Sequence, residues 1–248
     1  MTIVNINTPS AVQSHTNDSQ TVTADQHWKN LYKIGGIACI GEVIIIVLGF
    51  VAYFIWPYAP GSISTLNVFA NIQKDWPGAL VSLDFLLLLG NLVAILVFIT
   101  LYVALKQVNE SYALIALIVG LIGLAAIIPS RPIAEMFSLS RLYATAATST
   151  EKSQYLAAGD ALLALFNGSA WIINTVLGSL SLLISALLML RGTIFSKATA
   201  YVGIVTNIVP LGFFLPGIGP IFLFLSLPFM VVWDIQLARR FFQLGRQS

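Results

Sequence analysis

Charge is what this sequence has least of. Only 9% of its 248 residues are Asp, Glu, Lys or Arg, while 58% are hydrophobic. An ordinary soluble domain carries about 25% charged residues and needs them for solubility. Lipid is therefore the simpler solvent for this chain. The net charge of +2, from 12 basic and 10 acidic residues, offers no basic face for nucleic acid. Cysteine occurs once, as Cys39 in an apolar run. An internal disulfide is thus impossible, and the plain reading of Cys39 is a small packing residue. Histidine occurs twice, as His15 and His27, both in or beside the N-terminal segment. No His/Cys/Asp cluster has metal-ligand spacing, so no metal is expected. No histidine stands among the apolar segments to activate a serine. Phosphate-cradling and dinucleotide glycine motifs are missing, and no lysine lies mid-segment to form a Schiff base. No cofactor is expected, and the chain is not expected to be an enzyme.

Long apolar runs are what the sequence does have, with a mean hydropathy of +0.89. Crossing a bilayer takes about 20 apolar residues in a helix, and six segments qualify: Lys33–Trp56, Ala79–Leu105, Ser111–Ser130, Gly168–Leu190, Ala198–Leu215 and Gly219–Ala238. Between the last two stands Pro216-Gly-Ile-Gly-Pro220, which a helix does not continue through comfortably. The alternative is a broken or re-entrant pair and five spans. The fold class is all-α, a polytopic transmembrane bundle of about six helices. Residues 1–26 are polar, rich in Ser, Thr and Asn, and lack the layout of a secretory signal. They read as a disordered cytoplasmic tail ahead of a transmembrane domain over 27–245.

Basic residues orient the bundle. With the N-terminus in the cytoplasm, that side collects Lys29, Lys33, Lys106, Arg191, Lys197, Arg239, Arg240 and Arg246, against Lys74, Arg131, Arg141 and Lys152 outside. Both termini are thus expected in the cytoplasm. Outside, residues 57–78 read as a loop with a short interfacial helix. Residues 131–167 look helical, and Thr148-Ser-Thr-Glu151 fits a capping box. The third helix is expected to kink at Pro129 and Pro132 and end near Ala147, the fourth to run from Ser149 to Leu190. An external helical hairpin would then extend helices 3 and 4.

Ionisable groups inside spans are costly and face the bundle, water or a partner. Glu42 lies near mid-span on a face with Gly35, Cys39, Gly49 and Tyr53. It reads either as a protonated carboxyl bonded to a neighbouring helix or as a proton- or cation-handling group. Asn91 falls at a similar depth, within hydrogen-bonding reach of it. Asn174, Gly178, Ser181 and Ser185 form a stripe suited to close helix packing. Asp234 is expected at the inner interface, paired with Arg239 and Arg240. The outer ends of helices 2, 3 and 4 bring Asp84, Arg131, Glu135, Trp171 and Asn174 to similar heights, with Arg131 and Glu135 four apart on one face. Together with Asn91 they outline a polar ligand pocket with an aromatic wall; the competing account is a plain ion pair at a helix end.

The strings LYKIGGIACIGE (31–42), LYVALKQVNES (101–111), RGTIFSKATAYVGI (191–204) and LARRFFQLG (237–245) resemble a bacterial multi-pass membrane family known only as a domain of unknown function. The resemblance covers most of 31–245. It implies the same architecture and a bacterial inner-membrane setting, and supplies no catalytic residues. The function expected is small-molecule or ion handling by a transporter-like or ligand-sensing bundle. The alternative is a non-catalytic interaction or membrane-integrity protein acting through its external helical pair. The expected partners are the lipid bilayer and a small-molecule ligand; no particular protein partner is indicated.

Overall fold

A computed structural model describes residues 14–57, 62–166 and 168–246. The described residues form ten α-helices and no strand: α1 Ser14–Ile55, α2 Thr65–Lys74, α3 Trp76–Ser82, α4 Phe85–Leu105, α5 Glu110–Ile127, α6 Ile133–Thr145, α7 Ser149–Leu163, α8 Ser169–Arg191, α9 Lys197–Ile208 and α10 Gly219–Arg246. Of the segment 1–26 read as a tail, residues 1–13 lie outside the described part and α1 begins at Ser14. Six helical stretches are long and apolar enough to cross a membrane: Trp28–Ile55, Phe85–Leu105, Glu110–Thr145, Ser169–Arg191, Lys197–Phe214 and Ile221–Arg246. The protein is a multi-pass helical membrane bundle. Lys33 lies against Gly245, so the start of the first span and the end of the last share one side, here called terminal; the other is distal.

Side chains set the helix starts. Asn109 accepts from the Tyr112 amide at 3.1 Å and opens α5; Ser196 accepts from the Thr199 amide at 3.1 Å and opens α9. Such caps satisfy amides that no preceding turn can reach. The capping box forms as its residues foretell, with both Thr148–Glu151 bonds at 3.1 Å.

Three breaks interrupt the spans on the distal side, of which the one at Pro129 and Pro132 is the expected kink and the other two depart from expectation. The second span does not run unbroken from Ala79. Asp84 takes a left-handed conformation (φ 62°, ψ 32°) between α3 and α4, which aspartate tolerates better than most side chains. The third passes through a 3-10 turn at Ile128–Ser130 before α6, where Pro129 and Pro132 interrupt the amide ladder. The fourth does not run from Ser149 to Leu190. It stops at Leu163, where the Leu165 and Phe166 amides fold back onto the Leu162 and Leu163 carbonyls at 3.1 Å, and it restarts at Ser169.

After α9 the chain tightens into a 3-10 helix, Val209–Phe214. The two together rise about 30 Å, a full hydrocarbon thickness. Gly217 then adopts φ +82°, open to glycine at little cost. The Pro216–Pro220 string therefore separates two full spans rather than a re-entrant pair.

Two apolar cores result. The terminal one includes Ala38, Cys39, Leu101, Leu105, Met189, Trp233, Leu237 and Phe241. The distal one gathers Val68, Phe69, Leu83, Met136 and Phe166. The external unit is thus three helices, not two: α2 is more than an interfacial helix, because it docks on α6 and α7. Ser140 Oγ donates to the Phe69 carbonyl at 3.1 Å, and Thr65 Oγ1 donates to Asp160 Oδ1 at 2.5 Å.

Candidate functional site

Antiparallel packing of α1 on α10 positions the deepest charged groups. Lys33 meets Gly245, Gly36 meets Phe242, and Tyr53 meets Phe224 with ring centroids 6.2 Å apart. Each step up α1 is a step back along α10, which sets Glu42 opposite the turn holding Asp234 and Gln236. Glu42 is fifteenth of the 28 residues in its helical stretch and Asp234 fourteenth of the 26 in its own, so each stands near the middle of its helix. Asp234 is buried, 5% exposed. The same register sets the two acids on facing turns, with the fully buried Cys39 one turn before Glu42 on α1. Among the described residues neither acid makes a salt bridge. Asp234 does not pair with the arginines that follow it: Arg240 donates to the Ile194 carbonyl and, at 3.1 Å, to Gln243.

Of the four buried polar side-chain atoms without a partner among the described residues, one is Trp171 Nε1 on α8 and three lie on α9 and α10. Thr206 Oγ1 on α9 and Trp233 Nε1 and Gln236 Oε1 on α10 are buried and unbonded. The indole sits over Gly203, where a Cβ would lie 2.6 Å from its Nε1. A buried polar atom without a partner costs about 1–3 kcal/mol and calls for an account beyond packing. Two acids on facing turns inside a bundle offer a place for a proton or a small cation between them.

The distal polar residues sort into two tiers. Nearer the surface, Arg131 Nε donates to Asp84 Oδ2 at 2.9 Å, while Nη1 donates to Ser130 Oγ at 2.9 Å and the Phe166 carbonyl at 3.1 Å. The guanidinium lies 4.5 Å from the Phe166 ring centre and 5.4 Å from that of Trp171. Its side chain is only 2% exposed, so it is enclosed by these partners rather than presented to a ligand. Burial pushes the Asp84 carboxyl above its ordinary value, and the Arg131 charge and hydrogen bond pull it partly back. Deeper, Asn174 Nδ2 donates to Asn91 Oδ1 and to the Gly123 carbonyl, both at 3.0 Å.

The sequence model of the family described as "Domain of unknown function (DUF4386)" matches residues 34–238. The chain belongs to this family. No curated protein and no solved structure matches it. The stretch shared with DUF4386 contains Glu42, Asp84, Asn91, Arg131, Glu135, Trp171, Asn174 and Asp234.

Within this DUF4386 chain, the expected outer cluster is brought together only in part. Asp84, Arg131 and Trp171 meet. Asn91 bonds Asn174 instead of Glu42, because its face of α4 turns toward α8. Glu135 is exposed; Arg131 precedes α6 with non-helical angles (φ −113°, ψ 75°), so a spacing of four does not join them. The α8 stripe is packing: Ser181 donates to the Ala116 carbonyl and Ser185 to the Ser181 carbonyl. Replacing Asn174 with leucine leaves Asn91 Oδ1 and the Gly123 carbonyl unpaired. A loss of about 1–2 kcal/mol is expected, read as a lowered melting temperature in detergent; an unchanged one would show the tier to be dispensable.

The residue that sequence reasoning missed is Asp234. Drawing the last span to Ala238 put it at a helix end. The helix runs on to Arg246, and centring on the full helix brings Asp234 to the middle.

Proposed function

We propose that this multi-pass membrane protein handles ions, with Glu42 and Asp234 binding and releasing protons or a small cation at the bilayer midplane. The observation that carries the reading is the pairing itself: two acids on facing turns of neighbouring spans, with no salt-bridge partner among the described residues. A carboxyl at the bilayer centre costs at least about 2.5–3.5 kcal/mol on insertion scales, and a second beside it adds repulsion. Packing needs neither. We place both termini in the cytoplasm of a bacterial inner membrane, because eight of the 12 basic residues lie toward the terminal side. This reading requires no catalysis.

The test is flux into proteoliposomes under imposed proton, sodium and potassium gradients. Wild type is expected to dissipate at least one of them faster than protein-free vesicles. Glu42→Gln and Asp234→Asn, which keep shape and remove the charge, should each slow it roughly 10²-fold, the scale of a lost proton-transfer group. Wild-type rates equal to those of empty vesicles under all three gradients would end the proposal.

A second reading, an interaction protein, draws on the distal unit of α2, α6 and α7 with its own buried core. Stoichiometric co-purification of a partner in mild detergent, coupled with absent flux, favours it.

A further inference from the structure

At the distal end of the bundle, α1, α3 and α4 leave a groove of about 310 Å³. Its walls include Val51, Ala52, Leu80 and Leu86, and Trp56 and Trp76 stand at its rim. The lining is almost wholly apolar. The groove lies where α1 ends and α4 begins, the depth at which acyl chains meet headgroups, and tryptophan favours that boundary.

The rim is built rather than accidental. Trp56 Nε1 donates to Asp75 Oδ2 at 2.7 Å, and the other carboxylate oxygen takes the Gly78 amide at 3.3 Å. Gly78 has no room for a side chain, since a Cβ would lie 2.5 Å from Trp56 Cδ1. Asp75 is therefore committed to holding the rim. Its neighbour Lys74 is exposed and has no acceptor among the described residues. Trp76, two residues on, is 61% exposed and lines the same groove. An apolar trough with an exposed, unpaired lysine two residues from its rim suits one amphiphile: an acyl chain below, a phosphodiester above.

We propose that this groove is a binding site for an anionic phospholipid of the distal leaflet, one acyl chain lying along Ala52 and Leu80 and the phosphate held at Lys74 and Trp76. The site is separate from the midplane carboxyls and stands or falls without them. One uncompensated lysine at an anionic headgroup favours it roughly fivefold over a zwitterionic one.

Native mass spectrometry of the full chain, offered equal phosphatidylglycerol and phosphatidylcholine, tests this. Wild type should retain one lipid with that preference. Lys74→Glu should retain one lipid with the preference gone, and Ala52→Phe, which fills the trough, should retain neither. Ala52→Phe holding lipid as wild type does overturns the site; so does a wild type without preference, or a lipid-free dimer that would put a second copy in the groove. Should Ala52→Phe not fold, tryptophan quenching decides. Phosphatidylglycerol brominated on its chains should quench wild type more than brominated phosphatidylcholine at equal mole fraction, with the difference reduced in Trp76→Phe. Equal quenching by the two lipids overturns the proposal.

Discussion

Replacing Arg131 with methionine should lower the stability of the detergent-solubilised protein by about 3–5 kcal/mol, the range for removing one partner of a buried ion pair. The Asp84 carboxyl would be left facing apolar walls, and the Ser130 hydroxyl and Phe166 carbonyl would lose their donor. Asp84→Asn should fall in the same direction. It retains a residue that tolerates the left-handed backbone at this position, so its effect isolates the lost charge. The two losses should not add in the double variant, because it leaves no unpaired ion behind. Apparent melting temperatures of the four proteins in one detergent measure this. If Arg131→Met melts with wild type, the pair is ornamental and the following account of the distal side is wrong.

That account concerns the three helix breaks. The breaks at Asp84, at the 3-10 turn before α6, and between α7 and α8 are far apart in sequence, yet one guanidinium touches all three. It bonds the left-handed residue of the first, belongs to the second, and takes the carbonyl that the third sets free at Phe166. Local propensity therefore foretold the proline kink of the third span but read the second and fourth as continuous. Leucine-rich stretches on either side of Asp84 and Ala164 favour helix wherever they stand, and nothing nearby in sequence names Arg131 as the reason to stop. What is written locally was legible: six apolar lengths, the Thr148–Glu151 box, the glycine-proline turn before the last span. Where polar groups find partners depends on helix rotation and on where a helix ends. Asn91 turned toward Asn174 rather than Glu42. Asp234 was read as interfacial because the pair Arg239-Arg240 looks like a membrane boundary, although amphipathic helix continues two turns beyond it. Glu135 shared a helical spacing with Arg131 but not a helix.

The midplane pair makes a prediction of opposite sign to that of the distal one. Glu42→Met should raise the melting temperature, corresponding to a gain of about 1–4 kcal/mol, the scale found when buried charged groups give way to well-packed apolar ones. Methionine is close in length and flexible enough to settle against the facing turn of α10. The change removes a carboxyl from the span and leaves Asp234 without a second acid on the facing turn. A carboxyl kept only to bond an adjacent helix behaves otherwise: its loss strands an acceptor or donor and costs about 0.5–1.5 kcal/mol. The sign of the shift therefore separates the two roles of Glu42 without any transport assay. A variant that is more stable and yet carries no flux is the signature of a group held against the demands of folding, the trade that functional sites commonly make. A drop in melting temperature would make Glu42 a structural hydrogen-bonding group and leave Asp234 alone at the midplane.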